Sequence, residues 1–106
     1  MPNIKTFNMS NLEIINYCFR NTFESDKYDI EQIVEQSYGH YGNCKCGNQH
    51  TLKNPPDYKF VFSTRMIERT LTFTFKKCAR CDKRTFYVTC TENMDVHFYS
   101  VLLKLK

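Results

Sequence analysis

The second half of the chain alternates apolar and polar residues with a period of two. Aromatic and aliphatic residues occupy every other position in four runs, at residues 58–62, 71–75, 86–90 and 97–105. Aromatic and β-branched residues at this spacing are typical of strands that bury one face. Because no helical pattern separates the runs, we expect an antiparallel meander of three or four strands.

The first part of the chain shows helical spacing instead. Ser10 and Glu13 fit a capping box, in which each side chain accepts a hydrogen bond from the backbone amide of the other residue. The residues that follow form an apolar stripe at helical spacing, with Cys18 at its edge: Leu12, Ile15, Phe19 and Phe23. A short helix is therefore predicted to start at this capping box.

A second short helix is expected to begin near Asp26 or Asp29. Gly39 is suited to end it, because glycine adopts the left-handed conformation of a helix C-cap without steric cost. The residues that this helix would turn inward are Ile30, Ile33, Val34 and Tyr38.

These patterns predict an α+β fold, with two short N-terminal helices followed by a three- to four-stranded antiparallel sheet. The chain has 106 residues, which is the size of one ordinary domain of about 100–150 residues. We expect a single domain over residues 1–106, in which residues 1–42 are helical and residues 43–106 form the sheet.

Charge divides at the same boundary. Residues 1–42 carry three basic and six acidic side chains, a net charge of −3, whereas residues 43–106 carry twelve basic and five acidic ones, a net charge of +7. The two sums give the overall charge of +4. An acidic part joined to a basic part indicates two surfaces with different partners.

The chain shows no signal for a membrane or for secretion. No apolar run approaches the roughly 18 residues of a membrane span, and the first residues contain no apolar core of a signal peptide. We therefore expect an intracellular protein, in the cytoplasm or nucleus of a host cell, without a membrane partner. The high content of Asn, Lys, Ile, Tyr and Phe is typical of an AT-rich genome, often viral or parasitic.

Two close cysteine pairs carry the candidate chemistry. One residue separates Cys44 from Cys46, two separate Cys78 from Cys81, and 31 residues lie between the pairs. Tetrahedral zinc takes about four thiolate or imidazole ligands, commonly from two chain segments that each form a tight turn. The second pair lies between two predicted strands, at a hairpin tip. These four cysteines are therefore predicted to hold one structural Zn²⁺ in a zinc ribbon.

Other assignments of the cysteines stay open from the sequence. His50 or His40 could replace one cysteine, since each lies four residues from the first pair. Disulfides are the rival chemistry, because six cysteines are an even number. Close pairs in a chain without a secretion signal favour a metal instead. Cys18 and Cys90 stand in apolar runs, where we expect buried thiols.

Residues 64–90 resemble the second half of a zinc ribbon. This ribbon occurs in transcription elongation factor S-II, in small RNA-polymerase subunits and in a baculovirus late expression factor. In that family an arginine and an acidic hairpin tip precede a strand with a phenylalanine three residues before the second Cys-x-x-Cys. The matching residues of this chain are Arg65, Phe75, Cys78 and Cys81.

The resemblance covers about residues 44–90 and implies a zinc-ribbon fold with a role in transcription. Family members that stimulate transcript cleavage carry an Asp-Glu pair at the hairpin tip. This chain offers only Glu68 there, flanked by Ile67 and Arg69. A cleavage role is therefore not expected.

The basic second part suits a polyanionic partner. Lysine and arginine mixed with Phe, Tyr and Thr on short strands can contact phosphates and stack on bases. No motif for sequence-specific recognition is present. The candidate contacts are Lys59, Arg65, Arg69, Lys76, Lys77, Arg80, Lys83 and Arg84.

The sequence contains no motif of a catalytic site. It lacks the His-Glu-x-x-His, glycine-rich phosphate-loop and Gly-x-Ser-x-Gly patterns, and four cysteines would leave zinc no open position. We expect a non-enzymatic accessory protein of transcription or nucleic-acid machinery, without a small-molecule substrate. It would bind nucleic acid without sequence specificity or dock on a polymerase-like complex. The alternative is a zinc-stabilised assembly protein, such as a viral particle component, that binds only protein.

Overall fold

The computed structural model of the chain describes residues 8–36 and 42–106. Five strands form one antiparallel sheet in the order β1-β5-β4-β3-β2, so the predicted α+β class and antiparallel sheet are confirmed. No helix in the described ranges is long and apolar enough to cross a membrane. The elements are helix α1 (Asn11–Phe19), 3-10 turn η1 (Phe23–Asp26), β1 (Tyr28–Gln36), β2 (Tyr58–Ser63), β3 (Glu68–Lys77), β4 (Arg84–Glu92) and β5 (Asp95–Leu105).

Helix α1 starts at the predicted capping box. The Ser10 hydroxyl accepts a hydrogen bond from the Glu13 amide at 3.2 Å, and the Glu13 carboxylate accepts one from the Ser10 amide at 3.3 Å. The predicted apolar stripe is only partly right, because Leu12 is half exposed and Phe23 lies in η1 with 77% of its surface exposed. The buried face of α1 consists of Ile14, Ile15, Cys18 and Phe19.

The second predicted helix is wrong, because its residues form the edge strand β1. A bulge between Ile30 and Gln32 inserts one extra residue into this strand. Ile30 lies opposite Leu103 and Ile33 lies opposite Val101, which share one face of β5. Two inward residues three positions apart therefore imitate the spacing of a helix.

This strand changes the expected sheet in two ways. The sheet has five strands instead of three or four, and β1 comes from the acidic first part of the chain. The division at residue 42 therefore does not separate helix from sheet. The expected helix end at Tyr38 and Gly39 lies outside the described residues.

Helix α1 packs against one face of the sheet, which we call the helix face. The core between α1 and this face contains edge-to-face aromatic pairs. The ring centroids of Phe73 and Phe86 are 5.4 Å apart, and those of Phe19 and Phe86 are 6.0 Å apart. The remaining buried core residues on the strands are Phe62, Leu71, Val88, Cys90, Tyr99, Val101 and Leu103.

The opposite face of the sheet, which we call the outer face, is also buried at its centre. Thr85 and Tyr87 on β4 and Ser100 and Leu102 on β5 each expose at most 7% of their surface. The segment 42–50 lies against this face, where Asn43, Cys44 and Lys45 border the same cavity as these residues. The sheet is therefore covered by α1 on one side and by a short irregular loop on the other.

Arg69 joins the N-terminal segment to β3. Its guanidinium donates hydrogen bonds to the Met9 carbonyl at 2.8 Å and to the Asn11 side-chain oxygen at 2.9 Å, and it lies 3.8 Å from the Glu92 carboxylate. Only 4% of Arg69 is exposed. Arg69 therefore holds the start of α1 against the sheet, and its side chain is too buried to contact a partner.

We predict that Arg69→Met destabilises the metal-loaded protein by about 1.5–3 kcal/mol, because two part-buried acceptors lose hydrogen bonds from a charged donor. Chemical denaturation measures this change. Arg65→Met is the matched control, since Arg65 is exposed. Equal free energies of unfolding for the two variants would show that Arg69 does not hold the helix.

Candidate metal centre

The first cysteine pair lies in a small hairpin over residues 42–50. The Cys44 amide donates to the Asn48 carbonyl at 2.9 Å, and the Gly47 amide donates to the Cys44 carbonyl at 2.9 Å. Gly47 has a φ of 90°, a conformation that glycine adopts without strain. These bonds turn the chain tightly enough to direct Cys44 and Cys46 toward one point.

The second pair lies in the turn between β3 and β4. The Cys78 amide donates to the Lys83 carbonyl, and the Asp82 amide donates to the Cys78 carbonyl, both at 2.8 Å. Asp82 has a φ of 63°, in the left-handed region that aspartate tolerates better than most residues. The hairpin tip predicted from the sequence is therefore present.

The two turns bring all four thiols together. The distance is 3.4 Å between the sulfurs of Cys44 and Cys81, and 3.6 Å between those of Cys46 and Cys78. All four sulfurs lie within 4.8 Å of one another. Metal–sulfur bonds of about 2.3 Å in a tetrahedron place sulfurs about 3.8 Å apart, whereas a disulfide requires about 2.05 Å. The cysteines are free, and the cluster can hold a metal ion.

The histidines and the other two cysteines stand apart from the cluster. His50 contacts the Tyr87 ring, with centroids 5.9 Å apart, and the group of potential ligands within the described ranges contains the four cysteines alone. His40 lies outside those ranges. Cys18 and Cys90 are buried as expected, and burial raises the pKa of each thiol to about 12.

The surroundings of the Cys78 thiol favour its ionised form. The Asn48 side-chain amide donates to the Cys78 sulfur at 3.5 Å. This bond, together with backbone amides of the same turn, lowers the pKa of Cys78 to about 5. Burial, together with hydrogen bonds from the neighbouring thiols, raises the pKa of Cys44 above its ordinary value, and a bound cation would favour its ionised form.

Asn48 was not anticipated from the sequence. It lies two residues after Cys46, beyond Gly47, and its position in the turn is the only sequence signal that could have pointed to it. Its role depends on the fold, because the sulfur that it contacts lies 30 residues away along the chain.

The predicted basic contacts divide into two groups. Lys76 and Lys77 end β3, Arg84 begins β4 opposite Lys77, and Arg80 and Lys83 lie in the turn between them. We call these five residues the basic tip. Away from the basic tip, Lys59 lies in β2, Arg65 lies in the β2–β3 turn and Arg69 is buried.

Acidification should release the metal, because protons compete with it for the thiolates. The pKa of Cys78 is below its ordinary value, so its ionisation supports the bound state at higher pH and this support is lost as the pH falls toward 5. Asn48→Ala removes the bond that lowers this pKa. We predict that its metal-release midpoint moves to higher pH by up to about one unit.

The Co²⁺–thiolate absorbance of the loaded protein, followed against pH, measures this midpoint. Gln49→Ala is the control, because Gln49 is the exposed neighbour in the same turn. Identical midpoints for the two variants would contradict the role of Asn48.

The comparisons with known proteins place this chain in no family. No protein-family model matches it, and the searches of curated proteins and of solved structures found no match.

Proposed function

We propose that the chain is a non-enzymatic zinc-ribbon protein whose basic tip binds the phosphate backbone of nucleic acid. The observation that carries the first half of this proposal is the convergence of four thiols from two tight turns. Sulfur-only tetrahedral sites are typical of structural zinc. Because four protein ligands complete the coordination, such a site organises the fold and leaves no position for a substrate.

The bound metal would stabilise a small domain substantially. Structural Zn²⁺ can contribute on the order of 10 kcal/mol to folding, which is comparable to the total stability of many domains. In this chain it would join the 42–50 hairpin to the β3–β4 turn. The hydrogen bonds that join the described residues of these two segments all involve the cysteine sulfurs, so the metal would hold the outer-face covering in place.

The charges of the basic tip support a polyanionic partner. Four thiolates around Zn²⁺ carry a formal charge of −2, which neighbouring cations offset. Lys77 and Arg84 are direct cross-strand neighbours, and like charges in this position repel. Within the described ranges, none of the five basic-tip side chains forms an ion pair with a carboxylate. The Arg84 guanidinium lies over the Tyr28 ring, 5.9 Å from its centroid, so the exposed Lys77, Arg80 and Lys83 are the charges available for phosphate.

The resemblance to the S-II type of ribbon favours a place in transcription machinery. β2, β3 and β4 form a three-stranded meander with the cysteines at one end and Arg65 and Glu68 at the other. This placement supports the proposal without identifying the family. An accessory protein or subunit that docks on a polymerase-like complex next to nucleic acid would make contacts through both ends of this meander.

Metal analysis tests the first half of the proposal. We predict one zinc per chain, and the loss of zinc and of cooperative thermal unfolding in Cys78→Ser. Cys18→Ser is the control, since Cys18 is a buried cysteine outside the cluster. It should lose stability and keep zinc. A metal-free wild-type protein that unfolds cooperatively would contradict the zinc site.

Matched charge variants test the second half. Arg80→Gln with Lys83→Gln removes two charges from the basic tip, and Lys59→Gln with Arg65→Gln removes two elsewhere. We predict that only the tip variant weakens binding to arbitrary single- or double-stranded DNA or RNA. It should also lower the salt dependence by about one unit of slope per lost contact. Fluorescence anisotropy over a range of salt concentrations measures both quantities.

Two results would contradict this assignment. Equal losses in both double variants would indicate binding through net charge alone. Absence of binding by the wild-type protein at low salt would remove nucleic acid as the partner.

The difference between the two sheet edges favours protein binding as a second candidate function. Natural proteins protect edge strands with bulges and charges. β1 has a bulge and exposes Asp29, Glu31 and Glu35. β2 pairs with β3 without a bulge over all six residues, Lys59 is its only charged residue, and Val61 is half exposed. An extended segment of a partner protein could pair with this edge.

A lysine on this edge tests the second candidate. Val61→Lys should abolish co-purification of a partner protein that binds through β2, because a charged side chain blocks strand addition. Val96→Lys is the control, since Val96 lies on the outer face of β5 with similar exposure, 46% against 51%. Loss of the partner in both variants, or in neither, would contradict binding at the β2 edge.

A further inference from the structure

A small, partly enclosed cavity lies between the first metal turn and the outer face of the sheet. Its volume is about 80 Å³. One side is formed by the turn that carries Cys44, and the other by the end of β1, the start of β4 and the middle of β5. The lining residues are Val34, Gln36, Asn43, Cys44, Lys45, Thr85, Tyr87, Ser100 and Leu102.

Unsatisfied polar atoms converge on this cavity. The side-chain oxygens of Gln36, Asn43 and Ser100 are buried and have no hydrogen-bond partner in the described structure, and all three residues line the cavity. Ser100 exposes only 6% of its surface. Buried polar groups in folded proteins are nearly always paired, because an unpaired one loses its hydration without compensation. An occupant that forms hydrogen bonds would satisfy these three oxygens.

The size and chemistry of the cavity select water as this occupant. A water molecule takes about 30 Å³ in the liquid, so the cavity has room for two or three. The ammonium group of Lys45 is directed to the Gln32 side chain at 2.9 Å, and the buried oxygens of Gln36, Asn43 and Ser100 all belong to neutral groups. Amide and hydroxyl groups need a neighbour that both donates and accepts, which water does.

We propose that two or three ordered waters fill this cavity and bridge Gln36 and Asn43 to Ser100. Asn43 precedes Cys44, and Ser100 lies on β5 opposite Val34. The waters thus connect the backbone next to one thiol of the cluster to two strands of the sheet. They give the irregular turn a fixed distance from the sheet, independently of which metal the thiols hold.

Ser100→Ala in the metal-loaded protein tests this proposal through the sign of its effect. A hydroxyl that binds ordered water stabilises the fold, so its removal should lower the melting temperature by about 4–8 °C. A hydroxyl that faces an empty cavity is a cost, so its removal would leave the melting temperature unchanged or raise it, and either result would overturn the proposal. Ser63→Ala, at an exposed strand position, controls for the substitution itself.

Two direct measurements keep the proposal open to refutation if Ser100→Ala does not fold. In the ¹⁵N-labelled wild-type protein, the amides of Asn43 and Ser100 should show nuclear Overhauser cross-peaks to water with the sign of long-lived bound water. Absence of these cross-peaks would overturn it. Native mass spectrometry of the metal-loaded chain should show no additional small molecule, and a stoichiometric organic adduct would replace water as the occupant.

Discussion

The convergence of four thiols at one end of the sheet is the interaction on which the rest of this structure depends. Two turns, separated by 31 residues of chain, approach closely enough that all sulfurs lie within 4.8 Å. Thiolates at such distances repel one another unless a cation lies between them. The charge of a metal would therefore turn this repulsion into an attraction that holds the 42–50 hairpin against the β3–β4 turn.

This constraint explains how so small a chain buries both faces of its sheet. α1 covers the helix face with only nine residues, and no second helix covers the outer face in the described ranges. The turn of the first cysteine pair covers it instead, over Tyr87 and Leu102. This segment contacts the sheet through the His50 ring on Tyr87 and through the residues around one cavity, and a metal bound by the thiols would hold it there. The basic tip lies beside the same cluster, so the turn that carries two of the thiols also positions these basic side chains.

The sequence predicted the candidate site better than its surroundings. Cysteine spacing identifies a metal site because ligands must come in pairs from tight turns, which is a local property. The Asn48 side chain on Cys78 and the placement of Arg69 were not predictable in this way, since each depends on a residue distant in the chain. Basic composition likewise did not distinguish exposed Arg80 from buried Arg69.

Local chemistry alone therefore determined the capping box of α1, the four period-two strands and the arrangement of four cysteines in two close pairs. Only the tertiary structure decided what residues 28–36 form. Their spacing of three suits a helix, but a bulge and the open edge of β5 make a strand more favourable, since it satisfies backbone hydrogen bonds that β5 would otherwise expose. Tertiary packing also decided which apolar residues are buried, because a two-sided sheet buries Tyr87 and Leu102 against a turn whose position no local pattern predicts.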